Sequence, residues 1–596
     1  MTQPTPETTR PDGATATNQV PIRDLGVIGD RRTAAVIDRM GRILWYCPCR
    51  FDGPSLLAGL LDPAGGDWRI EIDGARPGSR RYLDGSGMLE TRLEVAAGEL
   101  VVLDWMTSGP QAPVGVLVRE FGEAPTPLRV VIDPRPDYGR KPARVSADAD
   151  AVTIEGMTLY GSHPLRVEDG RAVMELPAGE RGWMALSDAP LTRPDPATLD
   201  NWRGHTLGHW HGLDEAVDYD GVFAEELRQS LRAIRLCTHE ESGATVAAVT
   251  TSLPEIAGGG RNWDYRYVWL RDAGMIVSAL LRLCQKDSEG EQYLKFICRC
   301  TGTSEKYPMA VFTDLDCETA PGETELPLEG WRGSRPVRIG NGAADQLQLD
   351  AYANVALAAK LLYREGRSDG RAHWDVVSDI CDFLADNWQE PDHGIWEETP
   401  PKPYVSGKVV AACALESAAD YADEEEARRW RAAAGEIRDW VARNGLTSEG
   451  AYAVYPGSEE VDVTAALFPV WDYSAADTPE MRATMAALER EWSPDGKLFR
   501  RRLECADGHE EGVFVTAGFW VAQYWVMRGE LERARAIIEA GIAQANDLGL
   551  FAEEADPATG EMLGNIPQGF AHAALIGAVI DLNRALEAHA KEKSNG

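Results

Sequence analysis

Two Glu-Glu pairs, each in a loop beside an apolar residue, are the groups in this sequence whose type and setting best suit chemistry. One lies in PDHGIWEETP (Pro391–Pro400) and the other in LGLFAEEADPATGEMLGNIPQGFAH (Leu548–His572). A carboxylate next to both an apolar or aromatic group and a like charge has its pKa raised, the property a general acid needs near neutrality. A third segment, RNWDYRYVWLRDAG (Arg261–Gly274), packs four aromatics, three arginines and two aspartates into fourteen residues. Helical spacing from Asp264 onward would place Asp264, Tyr267 and Arg271 on one face. Taken singly, each segment has a plain alternative: a solvated charge pair in a loop, or an ion-paired amphipathic helix. So many Arg, Asp and aromatic groups are costly to bury without a polar ligand. Together they suit acid-catalysed cleavage of a polyhydroxylated substrate. Tryptophan faces match the apolar faces of sugar rings, Arg and Asp bind hydroxyls in pairs, and two separated carboxylates supply acid and base for glycoside hydrolysis.

Other chemistries lack their signatures. There is no G-x-S-x-G, no G-x-x-x-x-G-K-[ST] and no H-E-x-x-H. The best metal candidate is His205, His209 and His211 in GHTLGHWHG, but Gly208 weakens a helix there and no carboxylate accompanies them. They are expected to lie in a solvated linker, and no metal or organic cofactor is expected. None of the ten cysteines has C-x-x-C spacing, so scattered reduced thiols are expected. With 60 Lys+Arg against 95 Asp+Glu the net charge is −35. That sign disfavours nucleic acid and anionic membrane surfaces as partners. No apolar run approaches the ~18 residues of a spanning helix, and the first twenty residues lack the apolar stretch of a secretory signal. A cytoplasmic enzyme with a small-molecule substrate is expected; the oligomeric state is left open.

The elements that must position these groups fall into two halves. From Pro21 to about Asp200, Gly and Pro punctuate short β-branched and aromatic runs such as Leu100–Trp105 and Leu128–Asp133, the pattern of an antiparallel sandwich. From Phe223 to Ala590 the periodicity is helical and about twelve helices can be placed, among them Asp264–Leu283 and Gly512–Arg528. The expected division is a tail (1–20), a β-sandwich (21–200), a linker (201–222), an all-helical domain (223–590) and a short tail (591–596).

An ordered series of motifs from about Ile22 to Leu586 resembles the glucoamylase family, glycoside hydrolase family 15, in its bacterial and archaeal two-domain form. The series includes Asp24–Asp30, Thr250–Glu255 (TTSLPE), Arg261–Ala273, Gly333–Asn341, Asp345–Asp350 (DQLQLD), His393–Glu397 (HGIWE) and Leu563–Gln568 (LGNIPQ). The resemblance implies an N-terminal β-super-sandwich followed by an (α/α)6 barrel. It implies that Glu397 is the general acid and Glu553 the general base, with Ala552 where the family usually has Ser. Arg271 and Asp272 would bind hydroxyls of the first glucose. Tyr265 would contact the base and its water, Trp269 would form an aromatic wall, and Trp396 and Glu398 would touch sugar. Arg500 would occupy the position of the family's Arg-Tyr pair, although Arg501 follows it. The mechanism implied is a single displacement with inversion, the two carboxyl groups standing about 6.5–9.5 Å apart.

Without an export signal or starch-binding module, short malto- or isomalto-oligosaccharides are the expected substrates, cleaved from the non-reducing end. Trehalose, hydrolysed by a trehalase of the same family, is the alternative. Two further rivals are an inverting sugar phosphorylase, which should lack Glu553, and a non-catalytic carbohydrate-binding regulatory protein, which should have lost Glu397 or Glu553.

Overall fold

The computed structural model describes residues 16–148, 150–217, 219–283, 289–364, 373–501 and 511–595. In the first half, seven strands form one antiparallel sheet, running from Gly26–Gly29 at one edge, through Asp67–Glu71 and Leu128–Asp133, to Leu165–Glu168 at the other. Eight strands form a second sheet, from Val145–Ala147 through Gly182–Ser187 and Gly98–Met106 to Arg76–Tyr82. Side chains alternate across the pleat: in Leu89–Val95, Leu89, Thr91 and Leu93 are buried while Glu90, Arg92 and Glu94 are not. A buried ion pair joins the sheets. Asp104 and Arg119 are cross-strand partners in the second sheet, and Arg119 also donates to the backbone oxygens of Gly41 (2.6 Å) and Trp68 (3.1 Å) on the first.

Twelve α-helices are seen among the described residues. They are α1 (Pro196–Glu215), α2 (Ala224–Leu236), α3 (Leu270–Leu283), α4 (Glu289–Arg299), α5 (Leu349–Arg364) and α6 (Trp374–Asn387), then α7 (Val405–Ala418), α8 (Glu424–Asn444), α9 (Pro479–Glu491), α10 (Val515–Met527), α11 (Leu531–Ile542) and α12 (Gly569–Asn595). α3 packs on α5, α5 on α7, the 3-10 turn Val463–Leu467 on α10, α10 on α12, and α12 back on α3. Each of these inner elements carries an outer partner: α4 on α3, α6 on α5, α8 on α7, α9 on the 3-10 turn, α11 on α10 and α2 on α12. This is an (α/α)6 arrangement in which one inner position is a short turn. Composition explains the layers. α7 and α10 are buried on nearly every face, as a helix surrounded by protein must be. α8 buries one stripe (Ala427, Trp430, Ala434, Ile437, Val441), and its first turn of three glutamates is closed by an Asp423–Glu426 capping box.

The sandwich braces the loop that carries the third chemical segment. Arg266 is fully buried; its Nη2 donates both to Asp264 (2.7 Å) and to Tyr138 Oη (3.0 Å) of the sandwich, and its Nη1 donates to Gly53 O (2.8 Å). Trp45 adds a bond to Val249 O at 3.0 Å.

Several boundaries are corrected. Residues expected in the N-terminal tail are in part ordered: Asn18 donates to Gly330 O and Trp331 Nε1 donates to Val20 O, so residues 16–20 pack on the helical half; residues 1–15 lie outside the described residues. The expected linker is instead mostly helix α1. Asp195 caps it, Pro196 starts it and Trp210 buries its inner face, which outweighs the cost of Gly204, Gly208 and Gly212. The expected C-terminal tail continues α12 to Asn595, since no helix breaker intervenes. The helix expected from Asp264 begins only at Leu270, because Val268–Trp269 pairs as a strand with Phe312–Thr313 and Asp264 bridges Thr251. Asp264, Tyr267 and Arg271 therefore share no helix face. Cys300 and Cys317 form a disulfide, a correction to the expectation of reduced thiols: the chain brings their Cα atoms to 4.9 Å. Among the described residues, no helix is long and apolar enough to cross a membrane.

Candidate active site

The N-terminal ends of the inner helices and the loops before them surround a cavity of about 280 Å³. Arg271 and Asp272 sit in the first turn of α3, Phe514 immediately precedes α10 and Phe570 opens α12. The strand Val513–Phe514 pairs with Glu554–Ala555, which pairs in turn with Met562–Leu563. This small sheet holds Glu553 at the cavity wall. Gly564, at φ +84°, belongs to the same support: a Cβ there would stand 2.9 Å from the Cβ of Glu553, so any side chain would displace that carboxylate.

Glu397 enters the cavity from a tight loop and has φ +59°, a left-handed conformation costing a non-glycine residue about 1–2 kcal/mol. The strain is held by neighbours on both sides. Trp269 Nε1 donates to Glu397 Oε1 at 2.8 Å, and Arg271 Nη1 reaches the same oxygen at 3.3 Å and Ile395 O at 2.5 Å. With Oε1 engaged by two donors, a proton on Glu397 belongs on Oε2. Burial raises the pKa of this carboxyl; Arg271 opposes the rise and Asp272 adds to it. Arg271 stays charged and is clamped at 2.7 Å by Asp272, with its guanidinium 5.6 Å from the ring centre of Phe570.

Glu553 faces a different environment. Tyr265 Oη lies 2.9 and 3.0 Å from its two oxygens. Behind it lies a buried cluster of Glu255, Glu511 and Glu554, bridged by Arg501. That guanidinium reaches Glu255 at 2.5 Å, Glu511 at 2.6 Å and Glu554 at 3.4 Å. Arg261 adds a second bond to Glu255 at 2.6 Å. Four carboxylates thus share two guanidinium groups. Burial and the neighbouring Glu255 raise the pKa of Glu553, while Arg501 and the Tyr265 hydroxyl pull it down. The loop is seated from below by His572, which accepts from Phe551 N at 3.2 Å. Burial lowers the pKa of that histidine to about 3 and keeps it neutral.

The cavity brings together Tyr265, Trp269, Arg271, Asp272, Trp396, Glu397 and Glu553, all singled out from sequence. Two expected sugar contacts fall elsewhere. Glu398 turns to Tyr404, whose hydroxyl donates to it at 2.7 Å, and Arg500 donates to Glu511 O at 2.9 Å. Arg501, and not Arg500, lines the cavity, held there by its ion pairs to Glu255 and Glu511. Glu255 and Trp263 also line it and had no assigned role, although both stand inside quoted motifs. Asp462, which accepts from Trp396 Nε1 at 2.6 Å and fixes that indole, had no sequence signal.

The three histidines of α1 do not converge. His209 Nε2 lies 3.3 Å from Glu240 Oε1 and His211 Nε2 lies 3.0 Å from Asp84 O. Among the described residues, the close-set group of metal-capable side chains is Glu255, Glu511 and Glu554, where guanidinium groups already supply the positive charge.

Over residues 221–580 the chain matches the model of glycosyl hydrolases family 15. The chain belongs to this family. Residues 10–165 match a second model, the trehalase-like N-terminal domain. This family 15 glycoside hydrolase is 32% identical to a protein named trehalase from Mycolicibacterium smegmatis, covering 95% of this chain and 92% of that one. It is 29% identical to another of that name from Thermoplasma volcanium, covering 94% and 93%. In fold it is similar to a bacterial glucoamylase solved with acarbose, with a TM-score of 0.70, 13% identity and 99% of this chain covered. The super-sandwich followed by the helical barrel is thus the family 15 architecture, and the chain is a glycoside hydrolase.

Proposed function

We propose that this family 15 enzyme hydrolyses α,α-trehalose by a single inverting displacement, with Glu397 as general acid and Glu553 as general base. The observation that carries the substrate is likeness to proteins named trehalase through both domains, at 32% identity over 95% of the chain. Malto- and isomalto-oligosaccharides, the first expectation from sequence, give way to this alternative. A cavity of about 280 Å³ agrees with it, since that is the small end of ligand sites. In this reading Asp272 and Arg271 grip hydroxyls of the glucose being cleaved, and Trp269 and Trp396 wall the ring. Glu397 gives its Oε2 proton to the bridging oxygen while Glu553 takes a proton from the attacking water.

Trehalose makes the stereochemical test unusual. Inversion at the attacked carbon releases β-glucose, whereas the departing glucose keeps its own α bond. Proton NMR of the first turnovers should therefore show α- and β-glucose in equal amounts. Only α-glucose at early times excludes inversion. Failure to cleave trehalose, with maltose or isomaltose turned over, excludes the substrate and leaves the hydrolase intact.

The electrostatics give a pH prediction. The base must be ionised and the acid protonated, so kcat/KM falls at low pH as Glu553 gains a proton and at high pH as Glu397 loses one. Both pKa values are raised, chiefly by burial, which moves the whole bell to higher pH than two solvated carboxylates would give. Glu255→Gln removes the like charge beside Glu553 and leaves Arg501 freer to pair with the base. The acidic limb of kcat/KM should then move to lower pH while the alkaline limb stays. An unmoved acidic limb would show that Glu255 does not tune the base.

A further inference from the structure

A second cavity, of about 290 Å³, lies at the other end of the same barrel and nearly equals the catalytic one in volume. The helices that present catalytic groups at their first turns line it with their later turns. Arg271 faces one cavity and Arg282 of the same helix the other, and between them the α3 axis advances roughly 16 Å. Phe570 lines both spaces and packs edge-on against Trp520 at 5.4 Å, forming the septum.

A hydrogen-bonded polar group also lines this far cavity. Asp581 accepts from Arg282 on one oxygen and from Gln523 Nε2, at 2.6 Å, on the other. Gly577, one turn before Asp581 on α12, leaves that group uncovered: a Cβ there would meet Gln523 Nε2 at 3.4 Å and Arg282 Nη1 at 3.8 Å. The half-buried indole of Trp471, stacked on Phe468, also lines the cavity. At the rim stands Met527, 51% exposed, one of two large apolar side chains so exposed among the described residues. The charged lining groups cancel, Arg282 and Lys360 against Asp472 and Asp581, so nothing in the lining selects for an ionic ligand. A lining that combines an indole with paired hydrogen-bond donors and acceptors, without net charge, suits the apolar face and neighbouring hydroxyls of a sugar.

We propose that the far cavity is a second binding site for a neutral mono- or disaccharide, separate from the catalytic one. It rests on the fold and the lining, and not on trehalose being the substrate. Glucose, the product of any α-glucoside hydrolase, is the probe. In equilibrium dialysis with radiolabelled glucose, the unmodified protein should bind two molecules per chain at saturation. Trp471→Ala and Gly577→Leu should each bind one while keeping kcat within a few-fold, which shows that they are folded. Asp272→Ala should lose the catalytic-cavity molecule and retain the one that Trp471→Ala removes. One molecule or none on the unmodified protein, or two on Trp471→Ala, overturns the proposal. If Gly577→Leu misfolds, Trp471→Ala decides, because a half-buried indole at a cavity mouth can be truncated without opening the core.

Discussion

If Glu397 is the general acid of the proposed trehalose hydrolysis, Glu397→Gln should lower kcat on trehalose by about 10²–10⁴-fold, the usual contribution of a positioned general acid, yet leave α-glucosyl fluoride turned over at a much smaller loss. The contrast follows from the chemistry of departure. A sugar alkoxide cannot leave without a proton, whereas fluoride can. Glutamine can still accept from Trp269 Nε1 and Arg271 Nη1, the two donors now on Oε1, so the loop and its left-handed backbone at position 397 keep their support. KM should change little, because the interaction removed is one made in the transition state. Glu553→Gln has the opposite signature. It should cripple both substrates alike, since activation of water is needed whatever leaves. Equal losses on both substrates in the Glu397 variant would remove it from the role of acid. Near-normal turnover of trehalose in either variant would sink the two-carboxylate mechanism.

Arg501→Met should destabilise the protein by about 3–5 kcal/mol, the cost of stripping one partner from a buried charge network. Glu255, Glu511 and Glu554, its three partners, have side chains no more than 3% exposed. Water cannot replace the lost guanidinium. The deficit should depend on pH with a definite sign. Burial pushes Glu255 up, but Arg501 and Arg261 outweigh it and hold its pKa below the usual carboxylate value. A depressed carboxylate contributes stability above its unfolded pKa and loses it as pH falls through the folded value. Denaturant midpoints of parent and variant should therefore lie far apart at neutral pH and converge in acid. Glu255→Gln added to Arg501→Met should recover part of the loss. A midpoint within experimental error of the parent at neutral pH would mean that the cluster does not depend on Arg501 for its charge balance.

Much of this molecule is legible along the chain because the relevant physics is local. Hydrophobic periodicity marks the helices, and the runs that are apolar on every face, such as Val515–Met527, become the inner layer. Trp269, Arg271 and Asp272 lie within four residues, and Glu397 follows Trp396 directly, so their association needs no knowledge of the tertiary structure. Other features depend on segments that meet only when the barrel closes. Glu255 and Arg501, 246 residues apart, are joined by a single ion pair, and no periodicity in either segment announces it. The choice between Arg500 and Arg501 depends on the distant glutamates Glu255, Glu511 and Glu554, which pair with Arg501. Pairing of Val268–Trp269 with Phe312–Thr313 delays the start of α3, and Glu398 accepts from Tyr404 and is not among the residues that line the cavity. The second cavity exists because later turns of α3, α5, α10 and α12 converge around the same axis as the first. Residue type and spacing singled out the two Glu-Glu pairs and the segment dense in Arg, Asp and aromatic groups, and the resemblance to family 15 implied which glutamates would act and the two-domain architecture. Tertiary structure decided which charges surround each carboxylate, because a pKa is set by burial and by neighbours brought from distant parts of the chain.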